Sequence, residues 1–224
     1  YLLAPGLVLT ARHVVGQAKA ASVRLLTPDE DGLPGGVGAW QDARVAWTGA
    51  SRDLALLVPQ AGAATFREVA TPVAIARLDG REPVRVDALG FPRALQTPTH
   101  SDTLHLQAMV DPWSAVRSDV LLLDVRTARP AEDDGWKGLS GAAVFGGDRL
   151  VGVVEAVPLR LDDSTLRATP AHVLFADTDA RALLQAAGIG DTQQMIDASY
   201  VERLPPGGHW GGLRERYARA VVTQ

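Results

Sequence analysis

The amino-acid sequence predicts an all-β protein, a barrel or a sandwich, with helix confined to its C-terminal part. Three observations lead there. Short β-branched and aliphatic runs, about ten of them, recur as far as Thr169 with turn residues between. A helical spacing of apolar positions enters only after Pro170. At 224 residues the chain can be one large all-β domain or two smaller ones, because barrels and sandwiches reach this size without splitting. A chain of this length buries about 70–75% of its unfolded surface and is stable without covalent staples.

Taken in order, Tyr1 to Leu3 end a strand whose partner is expected upstream, so the chain reads as a fragment of a longer polypeptide. Leu7, Val8, Leu9 and Thr10, bounded by Pro5 and Gly6, make a strand that runs into one helical turn carrying His13. A lone histidine is more often structural than catalytic. Here apolar neighbours on both sides hold its backbone in the core, which suits a base that must not wander. Residues 22–27 alternate as a strand, residues 28–38 are an acidic, glycine-rich loop, and residues 43–47 are a half-buried strand. Asp53 stands just ahead of the apolar run 54–58, at the mouth of a buried strand. An isolated carboxylate there would ordinarily cap or solvate the turn.

Residues 60–81 form a connector rich in Ala, Thr, Pro and Gly, holding the short apolar piece 73–75. The boundary between two halves falls near residue 80. Residues 84–90 are a strand closed by the turn Gly90-Phe91-Pro92, residues 103–110 alternate, and residues 120–125 are an apolar strand. A loop with three consecutive acids, Glu132, Asp133 and Asp134, precedes Gly135. Residues 142–145 and 150–157 flank the hairpin turn Gly146-Gly147-Asp148, and Arg167-Ala168-Thr169 is the last short strand. Pro170 opens a helix with apolar positions Val173, Leu174, Leu183 and Leu184, a break near Asp177-Thr178-Asp179 and a stop at Gly188. Past Gly190 the chain is a polar tail, broken at Pro205-Pro206-Gly207-Gly208, with a short terminal helix over residues 213–221.

Composition narrows the function. There is no cysteine, which excludes disulfides, thiolate zinc sites and a cysteine nucleophile, and favours a reducing compartment. The 22 basic and 26 acidic residues give a net charge of −4, with no nucleic-acid footprint. No apolar run has the length of a membrane span, and the first residues lack the basic start and apolar stretch of a signal peptide. His100, His105, His172 and His209 have no partner spacing that suggests a metal and read as structural or exposed. Neither a metal nor an organic cofactor is called for.

The chemistry is expected in Gly135-Trp136-Lys137-Gly138-Leu139-Ser140-Gly141-Ala142-Ala143-Val144. Glycines at 138 and 141 permit a tight turn that presents the Ser140 hydroxyl and the amides of Gly138 and Ser140. Acyl transfer needs such a set: a hydroxyl with a base beside it, and fixed N–H donors for the developing oxyanion. Alone, the stretch is equally an ordinary Gly-Ser turn before a strand.

Its partners come in a fixed order. Leu9-Thr10-Ala11-Arg12-His13-Val14, Arg52-Asp53-Leu54-Ala55-Leu56-Leu57 and Gly138-Leu139-Ser140-Gly141-Ala142 give His, then Asp, then Ser. In this the chain resembles the chymotrypsin-fold, trypsin-like serine peptidases, in their bacterial cytosolic or HtrA-like branch, over residues 1 to about 188. The Gly90-Phe91-Pro92 turn and the Ala168-Thr169-Pro170 helix entry are similar to further landmarks of that branch.

The resemblance implies two packed six-stranded antiparallel Greek-key β-barrels with a C-terminal helix. Residues 1–80 would form the half carrying His13 and Asp53, residues 81–188 the half carrying Ser140 and the closing helix, and residues 189–224 a tail or linker. It implies a serine endopeptidase acting on protein or peptide substrates through an acyl-enzyme. Ser140 would be the nucleophile, His13 the base and later the acid, Asp53 the group orienting the ring, and the Gly138 and Ser140 amides the oxyanion hole.

Leu139 stands where digestive members carry an aspartate that pairs with a newly cut N-terminus, so that activation route is not expected. Ala142 replaces a second glycine after the serine. The position six before the serine, Asp134, would line the primary pocket and select Arg or Lys, and Glu155 on the following strand could add to that wall. The acidic run is equally well a solvated loop. A second expectation, from another class, is a protease-fold regulatory or binding module that stays latent until a partner engages it. Family analogy adds a cytoplasmic setting and a fused sensor or effector domain.

Overall fold

The computed structural model describes residues 1–28, 34–61, 72–95, 103–127, 135–155, 164–191, 194–204 and 219–223. In chain order the elements are β1 (Leu2–Ala4), β2 (Leu7–Thr10), α1 (Arg12–Val15), β3 (Ala20–Pro28), β4 (Pro34–Thr48) and β5 (Ala55–Pro59). Then come β6 (Ala76–Leu78), β7 (Val84–Gly90), β8 (Leu104–Val110), β9 (Leu121–Val125), β10 (Ala143–Gly146), β11 (Arg149–Val154) and β12 (Thr165–Pro170). The chain continues through α2 (Thr178–Ala186), β13 (Gln194–Ile196), α3 (Ala198–Glu202) and β14 (Arg219–Thr223). The protein is mostly β, as the sequence predicts. It divides into two units: Tyr1–Ala74 with Val173–Thr192 and Pro205–Gln224, and Ile75–His172 with Gln193–Leu204.

The first unit is a six-stranded sheet in the order β1-β2-β5-β4-β3-β14. Its core gathers Leu2, Val8, Val15, Ala21, Val23, Ala43, Ala55 and Leu57. The pairs Val8–Leu57 and Val45–Leu57 place apolar side chains opposite one another, the cross-strand contact that stabilises a sheet. Two barrels were expected, and this sheet is open among the described residues, with β1 and β14 as its end strands. Closure depends on pairing the first strand with the last, a long-range contact that local alternation does not encode.

Two local expectations also change here. Residues 34–38 belong to β4 rather than to a loop, because Val37 pairs with Leu26 and Gly36 with Thr27. Residues 219–221 lie in β14, antiparallel to β3 from Arg219–Leu26 to Thr223–Ser22, where a helix was expected. The β-branched run Val221, Val222, Thr223 suits a strand once an edge is available to receive it.

The second unit contains a closed barrel, β10-β11-β12-β9-β8-β7, sealed by β7 against β10 through Ala88–Val144 and Asp87–Phe145. Alternation fills it. Val84, Val86 and Ala88 on β7, Leu106, Ala108 and Val110 on β8, Leu123 and Val125 on β9, and Leu166 and Ala168 on β12 share one core. Arg85 and Gln107 between them are exposed. Pro170 ends β12 instead of opening a helix. After a 3-10 turn at Ala171–Ala176, α2 starts at Thr178, capped by Asp177, whose carboxylate accepts from the amides of Asp179 and Ala180 at 3.0 Å each.

The segment 194–204 is built into this second unit. β13 pairs in parallel with β6, and a side chain at Gly146 would lie 2.8 Å from Ile196 Cδ1. Tyr200 donates its hydroxyl to Asp148 at 2.6 Å and accepts from Arg149 Nε at 3.0 Å, tying α3 to the β10–β11 hairpin. Both charged partners are part-exposed, so water screens the gain. Tyr200→Phe is expected to cost about 1 kcal/mol of stability in urea denaturation. A loss indistinguishable from zero would mean the tether holds nothing.

Candidate active site

Four residues of α1 carry His13, and the helix is anchored by Ala11 and Val15, both fully buried, while the imidazole itself is 47% exposed. Asp53 meets it from the turn before β5. The carboxylate is doubly engaged: Oδ2 lies 2.5 Å from His13 Nδ1, and Oδ1 accepts from the His13 backbone amide at 2.9 Å. A ring held through both its own nitrogen and its own backbone has one orientation open to it. Because Nδ1 is committed to the carboxylate as donor, the lone pair of the neutral ring sits on Nε2.

The turn that presents Asp53 is itself fixed. Gly49 donates to Leu54 O at 2.9 Å, and a side chain there would meet Arg52 O at 2.5 Å, so only glycine fits. Arg12, beside His13, donates from its guanidinium to Gly49 O at 2.7 Å and Ala50 O at 3.0 Å. Helix and turn are thereby joined a second time, besides the His13–Asp53 contact. Sequence reasoning did not single out Arg12 or Gly49. Nothing in the spacing marks them, since their contacts join segments far apart in the chain.

Burial would raise the Asp53 pKa, but the hydrogen bonds from the His13 ring and amide, with the positive charges of His13 and Arg12, outweigh it. The carboxyl is held below its ordinary value of 3.8. It is an anion at neutral pH, able to orient an imidazole and stabilise its cation.

Ser140 lies in the second unit, on the turn between Gly135 and β10. Gly138 and Gly141 take φ of 91° and 85°, the left-handed region in which a side chain is strained, so the two glycines allow the turn. The amides of Leu139, Gly141 and Ala142 donate to Trp136, Val154 and Leu139 carbonyls at 3.1, 2.9 and 2.9 Å. Among the described residues, the amides of Gly138 and Ser140 have no backbone acceptor. The backbone thus leaves open the two donors that an oxyanion hole would use.

Leu139 and Trp136 are buried and hold the turn from beneath. The Gly90-Phe91-Pro92 turn buttresses its entry, with Arg93 N donating to Lys137 O at 2.6 Å, and a side chain at Gly90 would come within 2.4 Å of Leu139 Cδ2.

Glu155, expected on a pocket wall, is only 4% exposed. Arg167 Nε donates to its Oε2, and Thr169 Oγ1 donates to Oε1 at 2.5 Å. Asp134 lies outside the described residues, as do His100 and His209. His105 Nε2 sits 2.9 Å from the buried Asp87 carboxylate.

The fold is similar to that of a solved protease structure. Similar solved structures are the serine endoprotease from Yersinia pestis, at 20% identity and TM-score 0.48 over 76% of this chain and 52% of that one. An inactive serine-to-alanine mutant of Rv3671c from M. tuberculosis H37Rv has 16% identity and TM-score 0.48, over 84% of this chain and 80% of that one. The Rv3671c protease in an inactive form has 17% identity and TM-score 0.50, over 84% and 82%. The chain spans about half the length of the Yersinia protein. At these identities the likeness concerns the fold alone, and the last comparison carries it. No family model matches the chain. No curated protein matches it either. Among the described residues no helix is long and apolar enough to cross a membrane.

Proposed function

We propose that the chain is a serine endopeptidase module that hydrolyses peptide bonds through an acyl-enzyme, with His13, Asp53 and Ser140 as its triad. The observation that carries this reading is the double hold of Asp53 on the ring and amide of His13, which puts the basic lone pair on Nε2. Ser140 Oγ attacks the substrate carbonyl as Nε2 takes its proton. The carbonyl oxygen becomes an oxyanion, received by the Gly138 and Ser140 amides. The imidazolium, steadied by the Asp53 anion, returns the proton to the departing amine, leaving an ester on Ser140. Water then attacks that ester, again losing its proton to Nε2, and the freed serine is reprotonated.

In this reading Asp134 gives the primary pocket its charge and a preference for Arg or Lys on the acyl side of the cut. Glu155 stood beside it in the sequence reading, and its pairing with Arg167 favours leaving that selection to Asp134. The lack of cysteine supports a cytoplasmic setting. Fusion to a sensor or effector segment that governs the module rests on analogy.

Ser140→Ala is expected to abolish covalent labelling by a fluorophosphonate, leaving hydrolysis at the residual level of roughly 10³–10⁴ over water that binding and the oxyanion donors provide. Labelling of the variant equal to that of the parent chain would reject the assignment.

A further inference from the structure

Glu155 immediately follows β11, and the residue before it grips the serine turn. Val154, fully buried, donates its amide to Ala142 O at 2.9 Å and accepts from the Gly141 amide at 2.9 Å. Those are the two residues that follow Ser140. On its other side Glu155 is bound to β12 three times: its amide donates to Arg167 O at 2.8 Å, and its two carboxylate oxygens accept from Arg167 Nε and Thr169 Oγ1.

A continuous path therefore runs from β12 through Glu155 and Val154 to the turn that holds the nucleophile. A charge buried to this degree is tolerated only when it is paired and hydrogen-bonded, and here both oxygens are already served by the chain's own donors. A substrate guanidinium or ammonium seeking this carboxylate would have to displace Arg167.

We infer that Glu155 is a positioning residue, fixed by Arg167 and Thr169, which sets the end of β11 and through Val154 the placement of the Ser140 turn, and is not the anion that selects a basic substrate. This rests on the reading of Ser140 as nucleophile. Misplacement by a fraction of an ångström to one ångström at a site remote from the reacting atoms lowers rate while leaving ground-state binding nearly intact.

The test compares E155Q, T169V and R167K with the parent chain, using an uncharged alkyl fluorophosphonate, matched Arg and Leu esters, and hydrogen exchange at the Gly141 and Val154 amides. E155Q is expected to slow labelling and kcat by between about ten- and a hundredfold with KM little changed. Exchange at both amides should accelerate, and the preference for the Arg over the Leu ester should be unaltered. T169V, which removes one hydroxyl, should show a smaller effect of the same kind, and R167K should retain part of the rate.

Unchanged labelling and exchange in a folded E155Q overturn the inference. So does a loss of Arg preference with labelling intact, which would make Glu155 the pocket anion. If Ser140→Ala labels as fast as the parent, the peptidase reading fails and takes the rate argument with it. The exchange data still report whether Glu155 fixes the turn.

Discussion

Asp53→Asn is expected to lower turnover by roughly 10⁴ while leaving the fold intact. The reason lies in the two bonds Asp53 makes. Its Oδ1 accepts from the His13 amide, so the oxygen of an asparagine would remain on that side and its NH₂ would face Nδ1. A donor opposite Nδ1 requires the ring to offer its lone pair there and to carry its proton on Nε2. Under the proposed triad, Nε2 would then carry a proton where the mechanism needs a lone pair, and the base is lost. The measurement is kcat on a peptide ester with circular dichroism as the folding control; turnover within tenfold of the parent would reject the role given to Asp53.

The same contact sets an acid limit. The folded pKa of Asp53 lies below its ordinary 3.8, so the stability it contributes is complete above that value. It is lost only as pH falls through the depressed folded value. Asp53→Asn lacks this carboxyl and should not show that part of the acid loss.

Leu123→Ala is expected to cost about 2–5 kcal/mol in the closed barrel. Leu123 is fully buried on β9 and stands opposite Val110 on β8 and Leu166 on β12, so its removal leaves a cavity bounded by three strands. Neighbours pinned in a closed ladder cannot collapse to fill it, which places the effect in the upper part of the range for such changes. Because the sheet of the other unit has its own core, the loss should be confined. Hydrogen exchange should speed along β7 to β12, with β2 and β5 little affected. A urea transition shifted by less than the equivalent of about 1 kcal/mol would show that the barrel repacks around the gap.

The alternating runs on β7 and β8 were legible because a strand with one face in a core must write that face into every second residue. Ser140 between glycines was legible as well, since its turn depends on φ values that local composition announces. The Pro34 to Gly38 stretch was not: its glycines suggest a loop, and only the pairing with β3 makes it a strand. Residues 219–221 end the stretch expected as a helix, while the β-branched run 221–223 points to a strand. The free edge of β3 decides between them.

Glu155 shows the limit most clearly. A carboxylate at a strand exit can face a ligand or a neighbour, and its partners Arg167 and Thr169 sit on a different strand.

The sequence by itself determined the β class, the strand positions with strong alternation, the absence of cysteine chemistry, and the order of His13, Asp53 and Ser140. Tertiary structure alone decided that, among the described residues, one sheet closes and the other stays open, and that Asp53 holds both the ring and the amide of His13. It also decided that Arg12 staples their two segments and that Glu155 is spoken for. The physical reason is range: periodicity and turn chemistry act over a few neighbouring residues, whereas closure and side-chain pairing join residues far apart in the chain, and only the folded chain brings those together.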